Sequence, residues 1–176
     1  MIPTVYFEIA KKIDWTNPNE KISKYFTVKE AIWLDKWGRL ATPADGLTDQ
    51  VKAKLVQFFR EKVDRVREKL GRPMFSKSCF RPDLYNKAIG GARLSCHRVI
   101  EQEVEGVKKV CAALDFWCDA DGDGDKDGED CDLIKDALRP HLEEFGIRME
   151  KNGKGARWVH VDDKDVPASG NREFDP

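Results

Sequence analysis

Trp158-Val159-His160-Val161-Asp162 alternates between residue types suited to a site and residues suited to a core. Read as a strand, it turns Trp158, His160 and Asp162 to one face and sends Val159 and Val161 into the layer behind. Together with the helical stretches elsewhere in the chain, such a strand implies an α+β domain, with helices packed on a small antiparallel sheet. The chain has only three histidines. Besides His160, one lies in Ser95-Cys96-His97, and Ala113-Leu114-Asp115 falls between the two. Two imidazoles and a carboxylate form a zinc donor set that leaves a fourth position for water. The remaining histidine, His141, lies in a charged helical stretch and reads as a surface residue.

Residues 111–118 form an apolar run suited to a buried strand. Residues 147–150 and 157–161 read as paired strands joined through Asn152-Gly153-Lys154-Gly155. Leu133, Ile134, Ala137, Leu138, Leu142 and Phe145 mark a helix bent at Pro140. Upstream, Thr27 and Glu30 form a capping box that opens a short helix through Trp33. Residues 37–45 read as a polar loop. Thr48 caps the clearest helix, with Val51, Leu55, Phe59, Val63, Val66 and Leu70 on one face and Gly71 and Pro73 at its end. Residues 74–80 suit a strand, and Pro82 starts a helical turn that ends at Gly90-Gly91. Val99, Val104, Val107 and Val110 point to a helix. Residues 163–176 are polar and read as a loose tail.

At 176 residues the chain fits one domain able to bury a core without disulfide staples. With 31 basic against 32 acidic side chains, its charge balance favours neither nucleic acid nor an anionic membrane as partner. No apolar run approaches the ~18 residues of a transmembrane helix. The N-terminus lacks a basic start followed by an apolar stretch, so no signal peptide is expected. Synthesis in the cytoplasm, a monomeric state and five reduced thiols are the corresponding expectations. Cys118 and Cys131 bracket an acidic loop and offer an alternative bridge.

That loop, from Asp119 to Asp130, places Asp119, Asp121 and Asp123 at positions 1, 3 and 5 of an EF-hand-like calcium loop, with Gly124 at the turn. Asp125 would contribute its backbone carbonyl and Asp127 would take position 9. Asp130 replaces the long glutamate of position 12, so weaker binding or a shift to Glu129 is expected. The alternative is a solvated acidic loop. With calcium bound, the loop would lock the strand that carries Asp115.

Several stretches occur in a telling order: Ile22-Ser23-Lys24-Tyr25-Phe26-Thr27-Val28-Lys29-Glu30, then Ser78-Cys79-Phe80-Arg81-Pro82. Tyr85-Asn86-Lys87-Ala88-Ile89-Gly90-Gly91-Ala92 follows and runs into Ser95-Cys96-His97, before Ala113-Leu114-Asp115 and the strand around His160. In this order they resemble the M15 family of zinc peptidases, the D-alanyl-D-alanine carboxypeptidases and phage endolysins that cut the peptides of peptidoglycan. The resemblance spans residues 21–162. It leaves residues 1–20 as an N-terminal extension, residues 119–130 as an inserted calcium-type loop and residues 163–176 as the tail.

The resemblance implies zinc at His97, Asp115 and His160. It gives Arg81 the task of stabilising an oxyanion or holding a substrate carboxylate, and it assigns Ser95 and Trp158 to substrate. Three departures stand out. Asp115 follows His97 at a longer interval than the family uses, which implies an insertion at residues 98–108. Cys111 replaces a family glycine. The position of the catalytic acid falls on Arg157, whose guanidinium stays protonated and cannot serve as a base. Asp162 either orients His160 or replaces that base; Glu150, Glu101, Glu103 and Glu105 are further candidates.

The expected function is zinc-dependent hydrolysis of peptidoglycan stem peptides, as a carboxypeptidase or an endopeptidase, at the cell wall. Arg157 keeps open a non-catalytic wall-binding or virion module of the same fold. A calcium-regulated interaction domain without zinc is a third reading.

Overall fold

The computed structural model describes residues 1–151, 157–166 and 170–175. The chain opens with α1 (Thr4–Lys12), which packs on the long central helix. Next comes α2 (Val28–Ile32), opened by the Thr27–Glu30 capping box. It stops one residue short of Trp33, because Trp33–Leu34 (β1) turns back to pair with Arg39–Leu40 (β2). The stretch expected to be a polar loop therefore holds a strand, and a 3-10 turn at Pro43–Asp45 follows it.

The central helix runs as α3 (Asp49–Phe58), a π-type turn (Phe59–Val63) and α4 (Asp64–Leu70). Thr48 caps it by accepting a hydrogen bond from the Val51 amide, and Gly71 ends it with φ +66°. Its stripe of Val51, Leu55, Phe59, Val63 and Val66 is buried, as the spacing predicts. The π turn left no mark in that periodicity.

After β3 (Phe75–Ser78) and α5 (Asp83–Ala88), the stretch expected to be helical is a β-hairpin, β4 (Glu101–Val104) and β5 (Val107–Val110). Two local features override the helical spacing. The valines are β-branched and favour strands. Between them Glu105 and Gly106 take φ +50° and +82°, as a tight two-residue hairpin turn requires.

The remaining elements are β6 (Ala113–Trp117), α6 (Gly128–Leu138), α7 (Leu142–Phe145), β7 (Arg148–Glu150), β8 (Val159–Asp162) and β9 (Glu173–Phe174). Pro140 sits in a 3-10 turn that separates α6 from α7. The segment joining β7 to β8 at residues 152–156 lies outside the described residues.

Five strands form the main sheet in the order β3-β6-β8-β7-β9. All pairs are antiparallel except β7 with β9, so the sheet is mixed and not purely antiparallel as expected. The tail is accordingly not loose throughout: Glu173–Phe174 completes the sheet edge. On one face, Leu114, Phe116, Met149, Val159 and Val161 join Leu55, Phe59, Ile134 and Leu138 in the main hydrophobic cluster. Each large apolar side chain buried there contributes about 1.5–3 kcal/mol. The opposite face carries Asp115 and His160. Among the described residues no helix is long and apolar enough to cross a membrane.

Two cysteines also depart from expectation. Cys96 and Cys111 form a disulfide, whereas Cys79, Cys118 and Cys131 are buried free thiols. The bridge lies at the base of the hairpin and ties the turn that carries His97 to the start of β6. Cys118 and Cys131 do not pair.

Candidate metal centre

The site begins with strand register. Asp115 on β6 stands directly opposite His160 on β8, so both side chains rise from the same face. Their neighbours Leu114, Phe116, Val159 and Val161 are drawn into the core, which fixes this orientation. His97 arrives from a 3-10 turn, Cys96–Arg98, that Ser95 caps by accepting a hydrogen bond from the His97 amide. Asn86, buried within α5, donates to the Gly91 and Ala92 carbonyls and shapes the approach to that turn.

The three donors converge. His97 Nε2 lies 3.1 Å from Asp115 Oδ1 and 3.2 Å from His160 Nδ1, and His160 Nδ1 lies 2.7 Å from Asp115 Oδ1. Zinc bonds of about 2.0–2.2 Å in a tetrahedron require donors roughly 3.3 Å apart. The set therefore fits a metal ion with little movement, and these residues form a group able to hold one.

Tautomers follow from the partners. His97 Nδ1 is 2.7 Å from the Cys79 carbonyl, which can only accept, so Nδ1 carries the proton and Nε2 keeps its lone pair. Burial pushes the His97 pKa down, further favouring the neutral ligand form. Burial also acts on Asp115, but the adjacent histidines outweigh it and hold the carboxylate well below its usual range. For His160, burial is outweighed by the hydrogen bond to Asp115 and the nearby Asp162 carboxylate, which raise its pKa. The two carboxylates thus favour a positive charge where a metal would sit.

Around the donors lies a supporting shell. Arg81 donates from Nη2 to Asp115 Oδ2, the oxygen turned away from the histidines, and from Nε to Ser78 Oγ at 2.7 Å. Asp162 is buried, with Oδ2 3.7 Å from His160 Nε2. Arg148 donates to both Asp162 oxygens at 2.9 and 2.7 Å, and the Lys164 amide adds a third donor. The Phe174 ring meets His160 edge-on at 5.8 Å, and the Arg148 guanidinium lies over it at 4.4 Å. Trp158 precedes the strand and is 44% exposed; Arg157 is exposed as well.

Arg148 and Phe174 carry no motif, and the polar composition of the tail concealed the second of them. Alternation from Asp162 across a paired strand could have pointed to Arg148. The Cys79 contribution is a backbone carbonyl, which no side-chain pattern reveals.

Glu150 is half-buried on β7. Burial raises its pKa, and the charges it feels are those of His160, Asp115, Asp162 and Arg81. The expected bases on the hairpin stand elsewhere: Glu101 lines a separate groove with Lys108 and Lys109, and Glu103 and Glu105 are exposed.

The acidic loop follows β6 and leads into α6. Asp119, Asp121 and Asp123 each accept from a backbone amide two or three residues on, and these turns bring their carboxylates together. Gly122 and Gly124 supply the positive φ values, +91° and +88°. Asp130 is not part of the cluster. It is buried and accepts from Trp117 Nε1 at 2.9 Å and from the Ala120 amide at 2.6 Å. Asp125 also stands outside the cluster, its pKa raised by neighbouring carboxylates, Asp123 first.

The buried histidine–aspartate–histidine group on this α+β domain is a candidate metal centre. A family model for Peptidase M15 matches residues 36–162. The chain therefore belongs to the Peptidase M15 family of metallopeptidases, and a peptide substrate follows from that membership. No curated protein and no solved structure matches the chain.

Proposed function

We propose that this chain is a zinc-dependent peptidase that hydrolyses peptidoglycan stem peptides, either as a D-alanyl-D-alanine carboxypeptidase or as an endolysin-type endopeptidase acting at the cell wall. The observation that carries this reading is the convergence of His97 Nε2, Asp115 Oδ1 and His160 Nδ1 in an M15 chain. Nitrogen and carboxylate donors in this number suit zinc. When bound, zinc supplies a Lewis acid that polarises a carbonyl and makes water more acidic.

The protein's own groups divide the remaining work. Asp115 presents one oxygen to the metal position while Arg81 holds the other. In this reading the rest of the Arg81 fork meets a substrate carboxylate or a developing oxyanion. Asp162, engaged by Arg148, orients His160. Trp158 offers an exposed ring beside the site, and Ser95 contributes to holding substrate as well as capping its turn. Purified peptidoglycan incubated with zinc-loaded protein is expected to yield new peptide ends by mass spectrometry. Chelated protein and His160→Ala should yield none, and equal release in all three samples would contradict the reading.

Arg157 supports a second reading, a non-catalytic wall-binding or virion module of the same fold. Sedimentation with peptidoglycan without release of peptides would favour it.

For the acidic loop we propose calcium, held by Asp119, Asp121 and Asp123. Support comes from the mutual approach of three like charges, which a cation would neutralise. Because Asp130 is turned inward, binding is expected to be weak. Calcium titration should raise the melting temperature, and no change would count against the site.

A further inference from the structure

One row of residues runs across the main sheet. Ser78 stands opposite Asp115, Asp115 opposite His160, and Glu150 opposite Phe174. β7 pairs with β8 through Arg148–Asp162 and Met149–Val161, so the same register carried on by one residue sets Glu150 opposite His160. Alternation leads to the same place: Arg148 reaches Asp162 on the face of the site, and Glu150, two residues on, shares that face. Directly opposed residues have Cβ atoms about 4.5–5.5 Å apart, within reach of a glutamate arm.

The carboxylates of this face differ in what already holds them. Asp115 lies between two histidines and Arg81. Asp162 has three donors. Glu150 forms no side-chain hydrogen bond or ion pair among the described residues, although it is half-buried. Arg157, at the family position for the catalytic acid, leaves that proton acceptor to be supplied from elsewhere.

We infer that Glu150, reaching in from the neighbouring strand, is the general base of the peptidase reaction, a role that rests on the function proposed above. In this step the water oxygen bonds to the scissile carbonyl carbon as its proton passes to a Glu150 oxygen. When the C–N bond breaks, Glu150 returns that proton to the departing amine and regains its charge. Placement on β7 frees the position three residues before His160 from acid chemistry and accounts for Arg157 there.

The test compares wild type, Glu150→Gln and Glu150→Asp in two assays: peptide release from peptidoglycan, and zinc affinity by competition with a chromogenic chelator. Glu150→Gln keeps the shape and removes both the proton acceptor and its charge. Its kcat should fall about 10²–10⁴-fold, with zinc affinity and KM within about threefold of wild type. Glu150→Asp should recover part of the lost rate. A glutamine variant that binds zinc and cuts within about threefold of wild type overturns the assignment. Should the glutamine variant lose zinc, the aspartate variant decides: zinc bound with a depressed kcat supports the role, and zinc bound with full kcat overturns it. Loss of zinc or of folding in both variants also overturns it, because Glu150 would then belong to the framework. Wild-type protein that holds zinc and releases no peptides contradicts the peptidase reading itself, and the base falls with it.

Discussion

Asp115 divides its oxygens between two tasks, one toward the histidines and one toward Arg81, and the site depends on that division. The same logic applies one step out. Asp162 is held by Arg148 and faces His160 Nε2, and in the proposed reading it fixes the ring that presents Nδ1 inward. Asp162→Asn should lower zinc affinity by about 10–100-fold while leaving the three donors in place, measured by chelator competition. Unchanged affinity would mean that the core packing of β8 alone sets the ring. His97, Asp115 and His160 were legible in the sequence because two of only three histidines flank an apolar aspartate segment in ordered motifs. Arg148 was not, because its partner is found only once strand register is known.

Among the elements, the hairpin β4–β5 is the clearest case of local chemistry overriding periodicity. Four valines at helical spacing suggested a helix, yet β-branching and the positive φ at Glu105 and Gly106 made a tight turn. The Cys96–Cys111 bridge closes the base of this insertion, between the His97 turn and the Asp115 strand. Treating the five cysteines as thiols missed it, since bridging depends on the hairpin bringing Cys96 and Cys111 together. In the chain-entropy account a loop of this length stabilises the fold by about 3 kcal/mol. The double change Cys96→Ser, Cys111→Ser should lower the free energy of unfolding by about that amount in denaturant titrations. A midpoint equal to that of the oxidised wild type would show that the hairpin holds its own base. The strand β9 makes the complementary point: a polar tail with no apolar pattern still supplies Phe174 to the wall of the site.

For the whole molecule, the sheet works as a plate with two sides. Its apolar side was readable as alternation in β6 and β8, and the long capped helix that covers it was readable from its stripe. Its other side assembles three donors from a 3-10 turn and two central strands, far apart in sequence and joined only by the fold. What escaped the sequence is what closes the plate: the parallel pairing of β7 with β9, and the π turn inside the helix. Both are tertiary choices with no local signature. Whether His97, Asp115 and His160 form one zinc centre is decided by elemental mass spectrometry of purified protein. Wild type beside His97→Ala, Asp115→Ala and His160→Ala, each confirmed as folded by circular dichroism, makes the comparison. Zinc near one per chain in wild type and near none in each variant is the predicted result. Zinc retained at the wild-type level by any folded variant would contradict the site.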